Sequence, residues 1–280
     1  MSYRSILLYL DEDALCEKRS TFAIELAKAH ESHLVGAAPT GFLDFPVAID
    51  AAATLAEYAD VAWRAVRIRA ERSAQVFRDR CARASLPSFE AVTDESARAG
   101  SLVHHSHCSD LVILSQADPS SPEHATEQQL VEEVVLQSSR PTLIVPYAGS
   151  FSPLMSDVMV AWDDSREAAR AVADAMPLLR RSKRVHVVGW AESHEHEGSL
   201  RPRLDAVCRW LQRHGVPATA RTDSAIEVGV ADAMLSRAAD LGTQLTVMGA
   251  YGHARWTERV LGGATRSLLT SMTTPVLMSH

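Results

Sequence analysis

Ser5-Ile-Leu-Leu-Tyr-Leu-Asp11 and Asp157-Val-Met-Val-Ala-Trp-Asp163 decide the fold: each is an apolar run ending in an acidic residue, and the two lie 152 residues apart. Self-similarity of this kind marks a duplicated architecture, and it sets the domain count before any motif is read. Two later matches share an offset of 134: Asp110-Leu-Val-Ile-Leu-Ser115 with Gln244-Leu-Thr-Val-Met-Gly249, and the segment 140–147 with 274–280. The 18-residue difference between the offsets is a net insertion in the first copy. It falls in 51–84, where Val66, Ala70, Phe77 and Cys81 recur at helical spacing in a long amphipathic segment; its counterpart, around 200–214, is shorter.

Each copy reads as five strands alternating with four helices. In the second, the strands are expected near 157–162, 184–190, 218–222, 244–249 and 275–279. These runs are short and almost wholly apolar, as parallel strands covered on both faces must be, so the predicted class is doubly wound α/β. Asp164 and Ser165 are candidate N-caps for the helix that follows, and Gly242 ends the third helix. Pro141 and Pro275 stand at the start of the two last strands, where a missing N–H is tolerated. The turn-rich join 146–156 separates predicted domains at 1–148 and 155–280.

Composition narrows the function. Hydrophobic residues make up 46% and charged residues 22%, ordinary globular usage that disfavours disorder and a disulfide scaffold. The net charge of −7 and the lack of a long basic run argue against a nucleic-acid partner. The first apolar run is too short for a secretory signal and no segment approaches a membrane span, so a cytoplasmic protein without membrane attachment is expected. Cys16, Cys81, Cys108 and Cys208 are widely spaced, and at least three of them should be small apolar side chains.

In a doubly wound sheet, ligands sit beyond the carboxyl ends of the strands. At the exit of the fourth strand in the second copy the chain reads Gly249-Ala-Tyr-Gly252, then nine residues, then Gly262-Gly263-Ala-Thr265 before an apparent helix. Glycines there either make tight turns or let a backbone rich in N–H groups, with a helix N-terminus behind it, cradle a phosphate. Gly-x2-Gly-x9-Gly after an apolar strand resembles the universal stress protein family, and the resemblance covers essentially the whole chain as a tandem two-domain member. It implies two Rossmann-like domains of the adenine nucleotide alpha hydrolase type, with ATP, ADP or AMP, with or without Mg2+, held by Gly249, Gly252, Gly262, Gly263 and Thr265. Position 263 departs from the family pattern: it is Gly where Ser or Thr is usual, and Thr265 follows two residues later.

The resemblance also places Asp163 beside the adenosine part of the ligand, where a carboxylate accepts hydrogen bonds from ribose or the adenine amino group; a helix cap is the competing role. Trp190 aligns with the lining of the adenine pocket, where it could stack on the base, or it is plain core. In the first copy the positions matching the glycines are Ser115, Asp118, Gln128 and Gln129, and Asp118 and Glu123 add negative charge, so that copy should be nucleotide-free. Family homodimers pair their final strands, which implies an intramolecular pseudo-dimer or a further homodimer, and an unidentified protein partner that reads the nucleotide state.

Other candidates are weaker. His104, His105, His107 and Cys108 point around a helix and do not converge on a metal, and His194 and His196 lie in an acidic stretch expected to be a loop. Arg255 and Arg259, inside the glycine loop, either reach phosphates or stay solvated. No P-loop and no Gly-x-Ser-x-Gly elbow is present, so no catalytic residue is assigned. The expected function is an adenine-nucleotide-binding stress sensor; the alternatives are a slow ATPase or nucleotidyl-transfer enzyme, and a scaffold without ligand.

Overall fold

The computed structural model describes residues 2–41, 55–191, 194–224, 229–251 and 263–280. Its contacts divide the chain into two units, Ser2–Ile113 and Leu114–His280. The first unit holds β1 (Ser5–Tyr9), α1 (Leu15–His30), β2 (His33–Pro39), α2 (Leu55–Arg83), β3 (Phe89–Asp94), α3 (Arg98–Ser106) and the start of β4 (Leu111–Ser115). Its strands run in the order β3-β2-β1-β4, all parallel. Ile6, Leu7 and Leu8 of the central strand are fully buried, so β1 is covered on both faces, which explains why its sequence does not alternate.

The second unit begins with α4 (His124–Gln137) and β5 (Thr142–Val145) and continues with β6 (Asp157–Ala161), α5 (Arg166–Asp174), α6 (Met176–Leu179), β7 (Arg184–Ala191) and α7 (His194–Arg213). β8 (Ala218–Ser224), α8 (Val230–Asp240), β9 (Leu245–Gly249), α9 (Gly263–Ser271) and β10 (Val276–Ser279) complete it. The order is β5-β10-β9-β6-β7-β8. β10, β9, β6, β7 and β8 run parallel to one another, and the final strands of the two repeats, β5 and β10, pair antiparallel through Val276 and Ile144. β9-β6-β7-β8 repeats the order β4-β1-β2-β3, and the chain reverses direction after the third strand of each set, as a doubly wound fold requires.

The strands expected in the second repeat appear at the expected places, and α2, 29 residues long against 20 in α7, carries nine of the 18 inserted residues. The acidic stretch around His194 and His196, expected as a loop, instead opens α7 at His194. Ser165 is the N-cap of α5, accepting from Ala168 N at 3.1 Å, whereas Asp164 takes a left-handed φ of 65° and turns the chain before the cap. Of the cysteines, Cys81 and Cys208 are buried, Cys16 is half-buried and Cys108 is exposed, so two rather than three behave as core. Burial pushes the Cys81 thiol up to about 12 and the Cys208 thiol to about 11, which leaves both protonated. Among the described residues no helix is long and apolar enough to cross a membrane.

Arg19 is the largest fully buried side chain of the first unit, 2% exposed. Its Nε donates to Tyr9 O at 2.9 Å, Nη2 meets Asp11 Oδ1 at 3.0 Å, and the guanidinium lies 5.1 Å from the Tyr9 ring centre. Burial opposes its charge, yet Asp11, Cys16 and Tyr9 hold it above the ordinary arginine value, so the guanidinium stays charged. Removing the arginine strands a partly buried carboxylate. Arg19→Met is therefore expected to lower stability by about 2 kcal/mol in urea unfolding; a loss under about 0.5 kcal/mol contradicts the pairing.

Candidate functional site

The site grows from three neighbouring strand ends of the second unit. Trp162 N continues the β6–β7 ladder to Val188 O at 2.9 Å, and extending that register two residues sets Asp163 level with Trp190. On the other side, Ala161 is paired with Met248, so Gly249 follows at the next step. The carboxyl rim β7-β6-β9 thus gathers Trp190, Asp163 and Gly249 although they are far apart in sequence. This is where a doubly wound sheet receives ligands.

Asp163 is exposed. Its Oδ1 accepts from Ser165 N at 3.0 Å and from Ser165 Oγ at 2.6 Å, an Asx turn that holds the capping serine of α5 in place. The cap is Ser165; Asp163 orients it and presents a carboxylate to solvent. Trp190 is 8% exposed and, among the described residues, its indole Nε1–H has no acceptor. Trp162, on the neighbouring strand end, also has a buried Nε1–H without one. A buried donor without an acceptor is costly unless something brings one to it. Trp190 borders a cavity of about 370 Å³ together with Asp223, Ser224, Asp232, Ser236 and Arg237. Asp223 is held by Arg237 in a fork, with Nη2 to Oδ1 at 3.0 Å and Nε to Oδ2 at 2.5 Å.

Gly249 is required by packing. A Cβ there would lie 2.5 Å from Ala168 N and 2.7 Å from the Glu167 carbonyl carbon, so β9 meets the first turn of α5 backbone to backbone. Beyond it Tyr251 takes a left-handed φ of 63°, a conformation costly for a bulky residue. Its N–H donates to Thr265 Oγ1 at 3.4 Å, its ring meets His280 edge to face, and its buried hydroxyl has no partner among the described residues. Burial and the Glu132 carboxylate push the phenol far above the ordinary tyrosine value, with Arg266 opposing. Thr265 therefore reaches the strand exit from the first turn of α9, which begins at Gly263. Gly252, Gly262, Arg255 and Arg259 lie outside the described residues.

The corresponding rim of the first unit is filled. At the offset of 152, Tyr9, Asp11 and Arg19 match Ala161, Asp163 and Ala171, so the arginine and the tyrosine ring stand where the second repeat has two methyl groups. Nothing in the local spacing announced Arg19, because an arginine in a helix is normally solvated; only the mismatch with Ala171 signals it. Tyr251 and Trp162 were legible as aromatics at strand exits, where polar turn residues are usual. His105 Nε2 lies 3.2 Å from Asp94 Oδ2, and among the described residues no group of three His, Cys, Asp or Glu is placed to hold a metal.

The chain has the fold of tandem universal stress proteins. A solved universal stress protein from Archaeoglobus fulgidus DSM 4304 superimposes with a TM-score of 0.71 at 16% identity, covering 98% of this chain and 95% of that one. Another structure, from Pseudomonas aeruginosa UCBPP-PA14 and assigned provisionally to the same proteins, gives a TM-score of 0.61 at 16% identity, over 99% of this chain and 93% of that one. No protein-family model and no curated relative matches the sequence.

The contact at Gly249 gives a direct test. Gly249→Ala forces backbone apart at a position with no flexible side chain to yield, and a loss of about 2 kcal/mol in thermal unfolding is expected; an unchanged melting temperature contradicts the close approach of β9 and α5.

Proposed function

We propose that this chain is a tandem universal stress protein, with repeats 1–148 and 155–280, whose second repeat binds an adenine nucleotide and signals its presence to a stress response. The observation that carries the reading is the contrast between the two rims. In the second unit the buried Trp190 Nε1–H has no acceptor among the described residues and stands level with the exposed Asp163, whereas Arg19 and Tyr9 occupy the matching place in the first.

The residues present suit a nucleoside phosphate. Asp163 accepts from ribose hydroxyls or an exocyclic amine, because an ionised carboxylate is an acceptor only. Trp190 offers a ring face and an N–H to a base. Thr265, at the start of α9, brings a hydroxyl and the positive end of a helix dipole to the phosphate side; its present contact with Tyr251 N–H is long enough to exchange for a stronger acceptor. Bound nucleotide supplies a charged tail whose presence or absence differs between two states of the protein. The role proposed is therefore that of a sensor, and no side chain is assigned to bond breaking.

Binding to the folded state alone raises stability by about 2.7 kcal/mol at a ligand concentration of 100 times Kd. In thermal-shift measurements ATP, ADP or AMP should raise the melting temperature by roughly 5–10 °C. Asp163→Ala should weaken binding about tenfold. No shift with any adenine nucleotide, or full binding by Asp163→Ala, would overturn the reading.

A further inference from the structure

Residues Arg180-Arg181-Ser182-Lys183-Arg184 put four cations into five positions of a chain whose net charge is −7. They form the turn between α6 and β7, at the end of the strands opposite the candidate nucleotide rim. Ser182 is buried and its Oγ donates to Leu178 O at 3.1 Å, while Ser156 O accepts from Lys183 N at 2.8 Å and Arg184 N at 2.9 Å. The turn is pinned from inside, and all four cations are exposed.

The last turns of α7 extend this face. Arg209 and Arg213 stand one helical turn apart, beside Trp210 and His214, so the four share one side of the helix. The Trp210 and His214 rings are 4.5 Å apart, and His214 Nδ1 accepts from Arg180 Nη2 at 3.5 Å, which ties the helix end to the basic turn. Trp210 is 36% exposed, and Leu154, two residues before Ser156, is 68% exposed. Arg184 pairs with Asp157. Among the described residues, Arg180, Arg181, Lys183, Arg209 and Arg213 have no acidic partner, although Arg201, Arg203 and Arg237 elsewhere in the unit are all paired.

Unneutralised arginines around an exposed tryptophan are the composition of a protein interface, with an aromatic anchor and cations that select the partner's charge. We propose that this face docks an acidic segment of a partner protein, its carboxylates on Arg181, Lys183 and Arg213 and an apolar side chain against Trp210. A nucleic acid fits less well: phosphate neutralisation needs an extended track of cations, whereas these are confined to one turn and one helix end of an acidic chain. The inference goes beyond the nucleotide reading and stands without it, because the two faces lie at opposite ends of β7, roughly 20 Å apart at the usual rise per residue.

The test is fluorescence anisotropy with the full chain and a dye-labelled peptide of Asp and Glu carrying one central Phe, at low and at moderate salt. Single-stranded oligo-dT and vesicles rich in phosphatidylserine serve as competitors, and gel filtration reports self-association. Saturable peptide binding is expected. It should weaken about tenfold at the higher salt and about tenfold in Arg181→Glu/Lys183→Glu, whose exposed positions leave the melting temperature and the nucleotide thermal shift unchanged. The Phe→Ser peptide should bind several-fold more weakly. No binding at low salt, indifference to charge reversal, tighter binding of oligo-dT or vesicles than of the peptide, or association of the chain with itself through this face overturns the proposal.

Discussion

The contact between Arg19 and Asp11 is the constraint from which the asymmetry of the molecule follows. A carboxylate at the exit of the first strand is built into both repeats, at Asp11 and Asp163, and a partly desolvated charge at a strand end must find a partner. In the first unit the partner is internal: Arg19 reaches across from α1, bridges Tyr9 O and Asp11 Oδ1, and is itself covered by the Tyr9 ring. In the second unit Ala171 stands at the matching position, and the exposed Asp163 accepts from Ser165 N and Oγ. One rim is closed by its own side chains; the other keeps a carboxylate at the surface.

That difference propagates along the second unit. With only alanines at 161 and 171, α5 lies close enough to β9 that Gly249 admits no Cβ. The chain leaving β9 then turns through a strained Tyr251, whose N–H is held by Thr265 of α9 and whose ring is fixed by His280. The same tyrosine lies in the field of Glu132, which accepts from Gln128 at 2.8 Å and pairs with Arg266 at 3.4 Å. A change at the start of the glycine segment is therefore felt where α4 and α9 meet. Gln116 adds a second tie there, donating from β4's exit to Leu269 O at 3.0 Å and Thr270 O at 3.1 Å.

Much of the architecture was legible because buried parallel strands leave little sequence freedom: Leu-Val-Ile-Leu at 111–114 and Thr-Leu-Ile-Val at 142–145 have no polar face to show. The helix opening at His194 was harder to read, since its first turn is charged all round and carries no apolar period to set against a loop. That Asp163 and Trp190 stand at neighbouring strand exits could be read from the strand pattern, because strand exits are fixed by the strands themselves; a role for either came only from the family resemblance. The packing role of Gly249 could not, because close approach of two backbones depends on which helix lies beneath, a tertiary fact. Nor could the burial of Arg19 be read from helical spacing. Its signal is a difference between two copies, visible only when the copies are laid side by side.

The most direct test of this account is native mass spectrometry of the freshly purified chain titrated with adenine nucleotide, followed by denaturation and identification of the released small molecules. The account predicts a single nucleotide per chain, retained in Asp11→Ala and bound about tenfold more weakly in Asp163→Ala. Two nucleotides per chain, or one bound at full affinity by Asp163→Ala and weakened by Asp11→Ala, would contradict it.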